Sequence, residues 1–469
     1  MTFEELKQVL FVRGNFGMKL GLERMREALT LLSDPHLAAP VLHVAGTNGK
    51  GSTCAFTEAA LRAAGLKTGL YTSPHLFHFC ERIRISGEPI PEERAAGLLE
   101  EIVRRVPWAL GEDGLTFFEL VTLMGFLAFA QERVQVAVVE VGLGGRLDAT
   151  NVVEPLACAV TPIGLDHVQW LGPTLQHVAA EKAGILKKGV PAVSAGQSRA
   201  AADVLAQRAA ELAILLWRPG RDYLYESRDV RPFCYEGPDE FRVSLGETKE
   251  VARRTRSDEG GEHAPGRVDS GLALAGHYQR ANAALACALL QVAARHGLPV
   301  TADHVRAGLR AVRWPGRLER VAERPVVIVD GAHNVPAAHA LARELTGFVG
   351  RRPVQLVFAA MSDKNYEGML RELVPPAAAV HLCAVDSPRA APPSQLAAAA
   401  RRLGARSCVV HGNVADALAA ARAAAAPQER GTMELPMGIV VCCGSLYLAA
   451  EVDAALRGRS AVRMPSERL

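Results

Sequence analysis

The sequence predicts an α/β fold in which parallel sheets are covered by helices. Short apolar runs alternate with amphipathic segments along most of the chain, and the runs are apolar at nearly every position. Such runs are typical of parallel strands buried on both faces. Hydrophobic residues make up 49% of the chain and aromatic residues only 5%. Together with the alanine-rich stretches, this composition favours packed helices over an all-β sandwich.

Composition and charge exclude several classes of protein. The 469 residues carry 53 Lys and Arg against 50 Asp and Glu, a net charge of +3, which excludes a nucleic-acid-coating polycation and a disordered chain. The N-terminus is acidic where a secretory signal is basic, and no apolar run approaches the roughly 18 residues of a membrane span. We therefore expect a cytoplasmic protein without a membrane or nucleic-acid partner. The nine cysteines follow no metal or disulfide spacing and are expected to be free thiols.

The apolar runs fall into two groups, which predict two domains. Strands of the first are predicted at residues 41–46, 134–142 and 156–164, and those of the second at 326–330, 354–361, 379–385, 407–412 and 438–444. A helix predicted from Gln279 to His296 is interrupted by Gly297-Leu298-Pro299. We place the boundary there, which gives a domain of residues 1–297 and a smaller one of residues 298–469. The polar segment 247–271 lacks apolar periodicity and is predicted to be a mobile surface loop.

A glycine-rich loop joins the first predicted strand to a helix. Its residues are Thr47, Asn48, Gly49, Lys50, Gly51 and Ser52. Glycines let backbone N–H groups approach phosphate oxygens, the helix N-terminus adds partial positive charge, and Lys50 can reach terminal phosphates. Gly51 separates Lys50 from Ser52, so the usual Mg²⁺-binding hydroxyl is displaced. An ordinary βα turn is the alternative, but the strand, loop and helix together favour a nucleoside triphosphate.

Polar side chains follow three predicted strands: those at 134–142 and 156–164 and a further one, KTGLY, at residues 67–71. Glu140 lies at the end of the first, where a carboxylate needs a cation or a partner such as Arg146. His167 follows the second and Ser73 the third, and they can supply a nitrogen and a hydroxyl to the same ion. A structural histidine and a simple turn are the alternatives. Mg²⁺ accepts few protein ligands because it keeps water and phosphate oxygens, and Mn²⁺ can substitute for it.

Three further polar residues have less distinctive surroundings. Asp330 follows a strand of the second domain and can accept a hydrogen bond from a ribose hydroxyl, while Arg317 can hold phosphate. A loop ion pair is the alternative for both. Lys182 closes a helix that begins near Thr174, and its spacing alone predicts a solvated lysine or a partner of Glu181.

Longer segments resemble one family. They are, in order, FGMKLGLERM, HVAGTNGKGST, TSPHL, ERIRISG, TFFE, VVEVGLGGRLDATN, IGLDHVQWLG, EKAGILK, WPGRLE, DGAHN, MSDKN, SPRA and CGSLYLAAEV. Together they resemble the folylpolyglutamate synthase and dihydrofolate synthase family of the Mur ligase superfamily, through nearly the whole chain. The resemblance implies a Rossmann-like P-loop ATPase domain and a smaller Rossmann-like C-terminal domain, with ATP bound in the cleft between them.

The resemblance also implies roles for individual residues. The loop residues 47–52 are expected to bind phosphate. Magnesium is expected to bind to Ser73, Glu140 and His167, and other contacts with ATP are expected from Asn282, Arg317 and Asp330. The pteroate-binding segments correspond to Thr116, Phe117, Phe118 and Glu119 and to Leu147, Asp148 and Ala149. Lys182 matches a lysine that relatives carry as a carbamate, whose formation requires a neutral amine. His333 and Asp330 are expected near the step that joins glutamate, and Lys50 and Lys182 are the other catalytic candidates.

The implied activity is ATP-dependent addition of L-glutamate to the carboxylate of dihydropteroate or a reduced folate, through an acyl phosphate. We expect both synthase activities in one monomeric protein. The alternatives are a ligase for a UDP-linked cell-wall precursor and a nucleotide-binding regulatory module. One departure is that Tyr278-Gln279 stands where the family has His-Gln, which affects any nucleotide-base contact made by that histidine.

Overall fold

The computed structural model describes residues 1–14, 17, 19, 21–227, 232–246, 270–349, 352–426, 429–430, 433–434 and 437–458. Two α/β bodies, each built on a mainly parallel sheet, make up this part of the chain, which confirms the predicted fold class. The predicted loop lies outside these residues over positions 247–269. All nine cysteines are free, and seven are buried. Among the described residues, no helix is both long and apolar enough to cross a membrane.

The first body is organised around an eight-stranded sheet with the order β4-β3-β2-β5-β1-β6-β7-β8. Its strands are β1 (Val41–Ala45), β2 (Thr68–Tyr71), β3 (Ile83–Ile85), β4 (Glu88–Pro89), β5 (Val136–Glu140), β6 (Ala157–Val160), β7 (Ala192–Ser194) and β8 (Leu216–Trp217). In this spatial order, every neighbouring pair between β2 and β8 is parallel. At the other end, β3 pairs antiparallel with both β2 and β4, which makes an antiparallel edge. A small antiparallel sheet consists of β9 (Leu224–Tyr225), β10 (Cys234–Glu236) and β11 (Arg242–Ser244).

Helices cover both faces of the eight-stranded sheet. They are α1 (Phe3–Gly14), α2 (Glu23–Leu31), α3 (Lys50–Ala63), α4 (Glu92–Arg105), α5 (Phe117–Gln131), α6 (Val168–Leu171), α7 (Leu175–Ala183), α8 (Arg199–Glu211), α9 (His277–Arg295) and α10 (Ala302–Ala311). Short 3-10 helices lie at Pro35–Leu37, Phe79–Arg82 and Ala149–Val152. One hydrophobic core contains α3 and α9 and another contains α4 and α5, so the strands are buried on both sides as their continuous apolar sequences predict.

The second body has a six-stranded sheet with the order β12-β13-β19-β14-β15-β16. Its strands are β12 (Glu319–Glu323), β13 (Val326–Val329), β14 (Val354–Phe358), β15 (Ala379–Leu382), β16 (Cys408–Val410) and β19 (Ile439–Cys443), and β17 (Glu429–Arg430) pairs with β18 (Met433–Glu434). Only the β12–β13 pair within this sheet is antiparallel. The helices are α11 (Val335–Val349), α12 (Tyr366–Leu373), α13 (Pro393–Arg402), α14 (Val414–Ala425) and α15 (Leu446–Arg457).

The contacts of α10 bear on the domain boundary. Val305 and Leu309 of this helix, and Val312 after it, belong to the hydrophobic core that contains α3 and α9. A boundary at residue 298 assigns α10 to the second domain, whereas its packing is with the first. We therefore propose a division after Val312, ahead of the first strand of the second sheet.

Candidate active site

One cleft between the two bodies brings the predicted site residues together. Its volume is about 1380 Å³, and its wall includes the carboxyl ends of strands from both sheets. Such crevices are where open α/β sheets bind ligands. All the predicted site residues line it: 47–52, Ser73, 116–119, Glu140, 147–149, His167, Lys182, Asn282, Arg317, Asp330 and His333. Residues as far apart in the sequence as Thr47 and His333 thus face one space.

The glycine-rich loop is held tightly at the base of the cleft. Gly49 precedes α3 with φ +91°, and a Cβ there would lie 2.3 Å from Asn282 Oδ1, so the conformation and the space both require glycine. The Thr47 backbone N–H and hydroxyl bond to Pro162 and Gly164, at 3.1 and 3.0 Å. The loop is therefore fixed in place before any nucleotide binds.

Lys50 and Glu140 face one another beside this loop. Lys50 Nζ lies 4.0 Å from Glu140 Oε1 and donates a hydrogen bond to Thr47 O at 3.3 Å. Glu140 Oε2 accepts from the Ser73 backbone N–H at 3.2 Å. Burial raises the pKa of Glu140 to about 6, although the charge of Lys50 opposes the shift. Arg146, the partner considered from sequence, pairs with Glu181 instead.

Lys182 is buried, so the solvated position predicted from its spacing is wrong. Its exposed fraction is 4%, and Nζ donates to the carbonyl of Gly46 at 2.8 Å. Burial, and secondly the charge of Lys50, lowers the pKa of Lys182 to about 7. With this pKa, a substantial fraction of the Lys182 amine is neutral near pH 7. The neutral amine is the form that reacts with CO₂.

His167 lies in an interdomain contact that the sequence did not predict. Lys364 Nζ, from the second body, is 2.8 Å from Asp166 Oδ1 and 3.1 Å from His167 Nε2. Asn334 Nδ2 donates to Asp166 Oδ2 at 2.8 Å, and the amides of Asn334 and Asn48 exchange two bonds of 3.0 Å. Although burial opposes ionisation of Asp166, the neighbouring charges hold its pKa well below the usual range. Burial lowers the pKa of His167 to about 4.

Asp330 is a carboxylate with well-defined donors. Oδ2 accepts from the Tyr278 hydroxyl and the Leu318 N–H, and Oδ1 accepts from the Ala332 N–H, each at 2.8 Å. Burial raises the pKa of Asp330. Tyr278 thus links the start of α9 to the second body.

His333 has an ordered ring beside Asp330. Its Nδ1 lies 2.8 Å from Gly331 O, and since a carbonyl only accepts, Nδ1 is the protonated nitrogen. Burial lowers the pKa of His333. The ring is therefore neutral near pH 7, with its lone pair on Nε2.

At the other end of the cleft, residues 116–119 form the start of α5. Thr116 caps the helix by accepting from the Glu119 N–H at 3.3 Å, and Glu119 Oε2 accepts from the Thr116 N–H at 2.8 Å. Arg24 Nη2 also donates to Glu119 Oε1 at 3.0 Å. Glu119 thus has a structural role in this wall, and Phe117 and Phe118 supply its apolar surface.

Asp148 belongs to a buried chain of hydrogen bonds. Its carboxylate accepts from the Leu143 N–H at 2.8 Å and from the backbone and hydroxyl of Thr150. Thr150 Oγ1 is also 2.9 Å from His43 Nε2. Burial raises the pKa of Asp148, and the chain fixes the orientation of its oxygens.

The residues predicted to bind a divalent cation fit an ion carried by a nucleotide. Glu140 is a buried carboxylate with a single hydrogen-bond donor among the described residues, and Ser73 is adjacent to it. His167 lines the same cleft, and its Nε2 lies 3.1 Å from Lys364 Nζ. The described residues contain no group of three or more His, Cys, Asp and Glu placed to hold a metal ion. Ser73, Glu140 and His167 offer one hydroxyl, one carboxylate and one imidazole, a sparse set of the kind that Mg²⁺ or Mn²⁺ completes with phosphate and water oxygens.

Three site residues were missed at the sequence level: Asp166, Asn334 and Lys364. Each stands in a segment that resembles the family, directly after a predicted strand or its extension. Their position at strand ends was a usable signal. Their partners were not predictable, because Lys364 contacts a residue 198 positions away.

Comparisons with known proteins agree with this architecture. Residues 44–207 match the Mur ligase middle domain, and residues 316–446 match the Mur ligase glutamate ligase domain. The dihydrofolate synthase/folylpolyglutamate synthase of Bacillus subtilis (strain 168) is 35% identical over 394 residues, which are 83% of this chain and 86% of that protein.

Solved structures agree as well. E. coli FolC in complex with DHPP and ADP has a TM-score of 0.82 and 31% identity, covering 98% of both chains. A bifunctional folylpolyglutamate synthase/dihydrofolate synthase with Mn, AMPPNP and L-glutamate bound has a TM-score of 0.76 and 32% identity, covering 94% of this chain and 95% of that one. The chain therefore belongs to the folylpolyglutamate synthase/dihydrofolate synthase family of Mur ligases.

Proposed function

We propose that this protein is an ATP-dependent ligase that joins L-glutamate to the carboxylate of dihydropteroate or a reduced folate, releasing ADP and phosphate. The observation that carries the proposal is the cleft between the two bodies, which has the glycine-rich loop on one wall and Asp330 and His333 on the other. Related structures hold ADP with DHPP, or AMPPNP with Mn and L-glutamate. The ligands bound in these related structures disfavour a UDP-precursor ligase and a regulatory module.

The first step activates the carboxylate. A carboxylate oxygen attacks the γ-phosphorus of ATP, and the bond from that phosphorus to the β-phosphate oxygen breaks. ADP departs, and the carboxylate has become an acyl phosphate. Lys50 and the backbone N–H groups at the start of α3 offset the charge on the phosphoryl oxygens. A divalent cation held by Ser73, Glu140 and His167 supplies further charge neutralisation when bound.

The second step forms the amide. The glutamate nitrogen attacks the acyl carbon, and phosphate leaves with one of the original carboxylate oxygens. The nitrogen loses a proton, and His333 Nε2 carries a lone pair that can take it. Tyr278, Asp330 and Asn334 join the walls across the cleft; this closure limits hydrolysis of the acyl phosphate by water.

We further propose that Lys182 acts as a carbamate. Its burial and lowered pKa support this, because the neutral amine is the reactive form. Activity after CO₂ removal should fall and return when bicarbonate is added, and intact-protein mass should show one CO₂ on wild type but none on Lys182→Met. Activity that is independent of bicarbonate would contradict the carbamate and leave the ligase assignment standing.

Glutamate-dependent phosphate release from Mg-ATP, with products identified by mass, tests the ligase. Parallel reactions with dihydropteroate and tetrahydrofolate should both give glutamylated products, as expected of a bifunctional enzyme. Turnover of one acceptor would limit the protein to that activity. Failure of both, with nucleotide bound, would contradict the proposal.

A further inference from the structure

Lys364 makes an unusual contact with a predicted metal ligand. Its ammonium has hydrogens and no lone pair, so the 3.1 Å contact with His167 Nε2 requires that nitrogen to present its own lone pair. The proton of the neutral ring is then on Nδ1, which is buried and has no hydrogen-bond partner in the described part of the chain. The lone pair with which His167 would bind a metal is thus the one Lys364 occupies.

The second body holds Lys364 in place. Its N–H donates to Met361 O at 3.2 Å, and its carbonyl accepts from the Tyr366 N–H at 2.8 Å. The preceding residue, Asp363, pairs with Arg389 at 3.0 Å. The ammonium therefore reaches the first body from a fixed turn. It leaves His167 by side-chain rotation or by movement of the whole wall.

The contact of Lys364 with Asp166 and His167 is connected to the glycine-rich loop at residues 47–52. Asp166 receives Lys364 on one oxygen and Asn334 on the other, and Asn334 also pairs with Asn48. Side chains of 11 to 17% exposure make up the Asp166, His167 and Lys364 contact. Hydrogen bonds thereby connect the Lys364 contact to Asn48 of the glycine-rich loop.

We propose that Lys364 competes with the divalent cation for His167, so that cation binding at this histidine releases the lysine from the first body. The inference rests on the proposed function, in which His167 binds the nucleotide's metal. The released ammonium, together with the wall that carries it, becomes available to an anionic substrate group only when metal and nucleotide are present.

The test is Mn²⁺ affinity without turnover. Binding of Mn²⁺ to the full-length protein is measured by electron paramagnetic resonance with saturating β,γ-imido ATP, for wild type, Lys364→Met and Lys364→Gln. Without the Lys364 ammonium, the charged hydrogen bond that occupies His167 Nε2 is lost. Mn²⁺ should then bind about tenfold to a hundredfold more tightly. Lys67→Met is the matched control, since Lys67 also pairs with a carboxylate, Glu132, at 2.9 Å, and it should bind Mn²⁺ as wild type does.

A double-mutant cycle separates competition from a general charge effect. In a His167→Leu background, Lys364→Met should leave Mn²⁺ affinity unchanged. Equal tightening in both backgrounds, no tightening, or weaker binding in the Lys364 variants would each overturn the proposal. Thermal melts identify any variant that is unfolded, and the second Lys364 substitution then replaces it. Because no acceptor or glutamate is present, a negative result here is distinct from a failure of ligation.

Discussion

Glu140 and Asp330 are two carboxylates in the same kind of place with different partners. Each stands at the carboxyl end of a parallel strand, and each is 5% exposed. In the described part of the chain, Glu140 accepts one backbone hydrogen bond and faces Lys50 at 4.0 Å, whereas Asp330 accepts three bonds of 2.8 Å. A buried carboxylate with few donors is suited to a cation, and one with many donors is suited to holding structure. The first wall therefore carries unsatisfied charge for chemistry, and the second is held in place.

The largest effect on activity is expected from replacing Lys50, whose ammonium faces Glu140. Lys50→Ala should lower glutamate-dependent phosphate release about 10²–10³-fold, because charge on the transferring phosphoryl group loses a stabilising partner. Its melting temperature should stay close to that of wild type. Lys67→Ala, outside the cleft, is the control and should keep full activity; normal ligation by folded Lys50→Ala would exclude the proposed role.

Neutral amides in place of the two carboxylates should differ in their effect on the free energy of unfolding. Asp330→Asn puts an NH₂ group among three donors, and we expect a loss of about 1–3 kcal/mol in the free energy of unfolding. Glu140→Gln removes a poorly satisfied buried charge and should not destabilise the protein, although ligation should be lost. Urea denaturation of both variants measures this, and equal destabilisation would remove the contrast.

The pH dependence of stability should identify Glu140. Its folded pKa of about 6 lies above the unfolded value, so its contribution to stability is present below the unfolded pKa and is lost as pH rises through 6. The shift corresponds to about 2 kcal/mol. The melting temperature of Glu140→Gln relative to wild type should therefore be higher at pH 7.5 than at pH 5. A difference that does not change with pH would mean that the carboxylate is better satisfied than its contacts indicate.

The smallest effect is expected at Tyr278. Tyr278→Phe removes one of the three donors to Asp330, and the other two are backbone groups that remain. We expect a stability loss of about 1 kcal/mol and a KM for ATP raised only a few-fold. A loss as large as that of Asp330→Asn would show that the tyrosine, rather than the backbone, holds the carboxylate.

The sequence predicted those parts of the site whose chemistry is local. A strand, a glycine-rich loop and a helix N-terminus lie within a few residues of each other, so the sequence was enough to propose Lys50 as a phosphate ligand, and the loop does line the cleft. Glu140 was identifiable because an acidic residue at the end of an apolar strand is costly without a partner. The α/β fold was also predictable from local sequence, since continuous apolar runs indicate strands buried on both faces.

The contacts between the walls were not predictable. Spacing suggested a solvated Lys182, but α7 packs that side chain against Gly46, 136 positions away. Lys364 and Asp166 both follow predicted strands, but the contact between them joins residues 198 positions apart and forms only where the two bodies meet. Likewise, the glycine and proline near residue 298 suggested a boundary, whereas the packing of α10 on α3 depends on a three-dimensional fit.

The most direct test of the ligase mechanism follows one oxygen atom. Dihydropteroate with a heavy oxygen isotope in its carboxylate is incubated with enzyme, Mg-ATP and L-glutamate, and the released phosphate is analysed by mass. An acyl phosphate requires that one labelled oxygen leave the carboxylate and appear in inorganic phosphate. Unlabelled phosphate accompanying glutamylated product would contradict activation of the carboxylate by ATP.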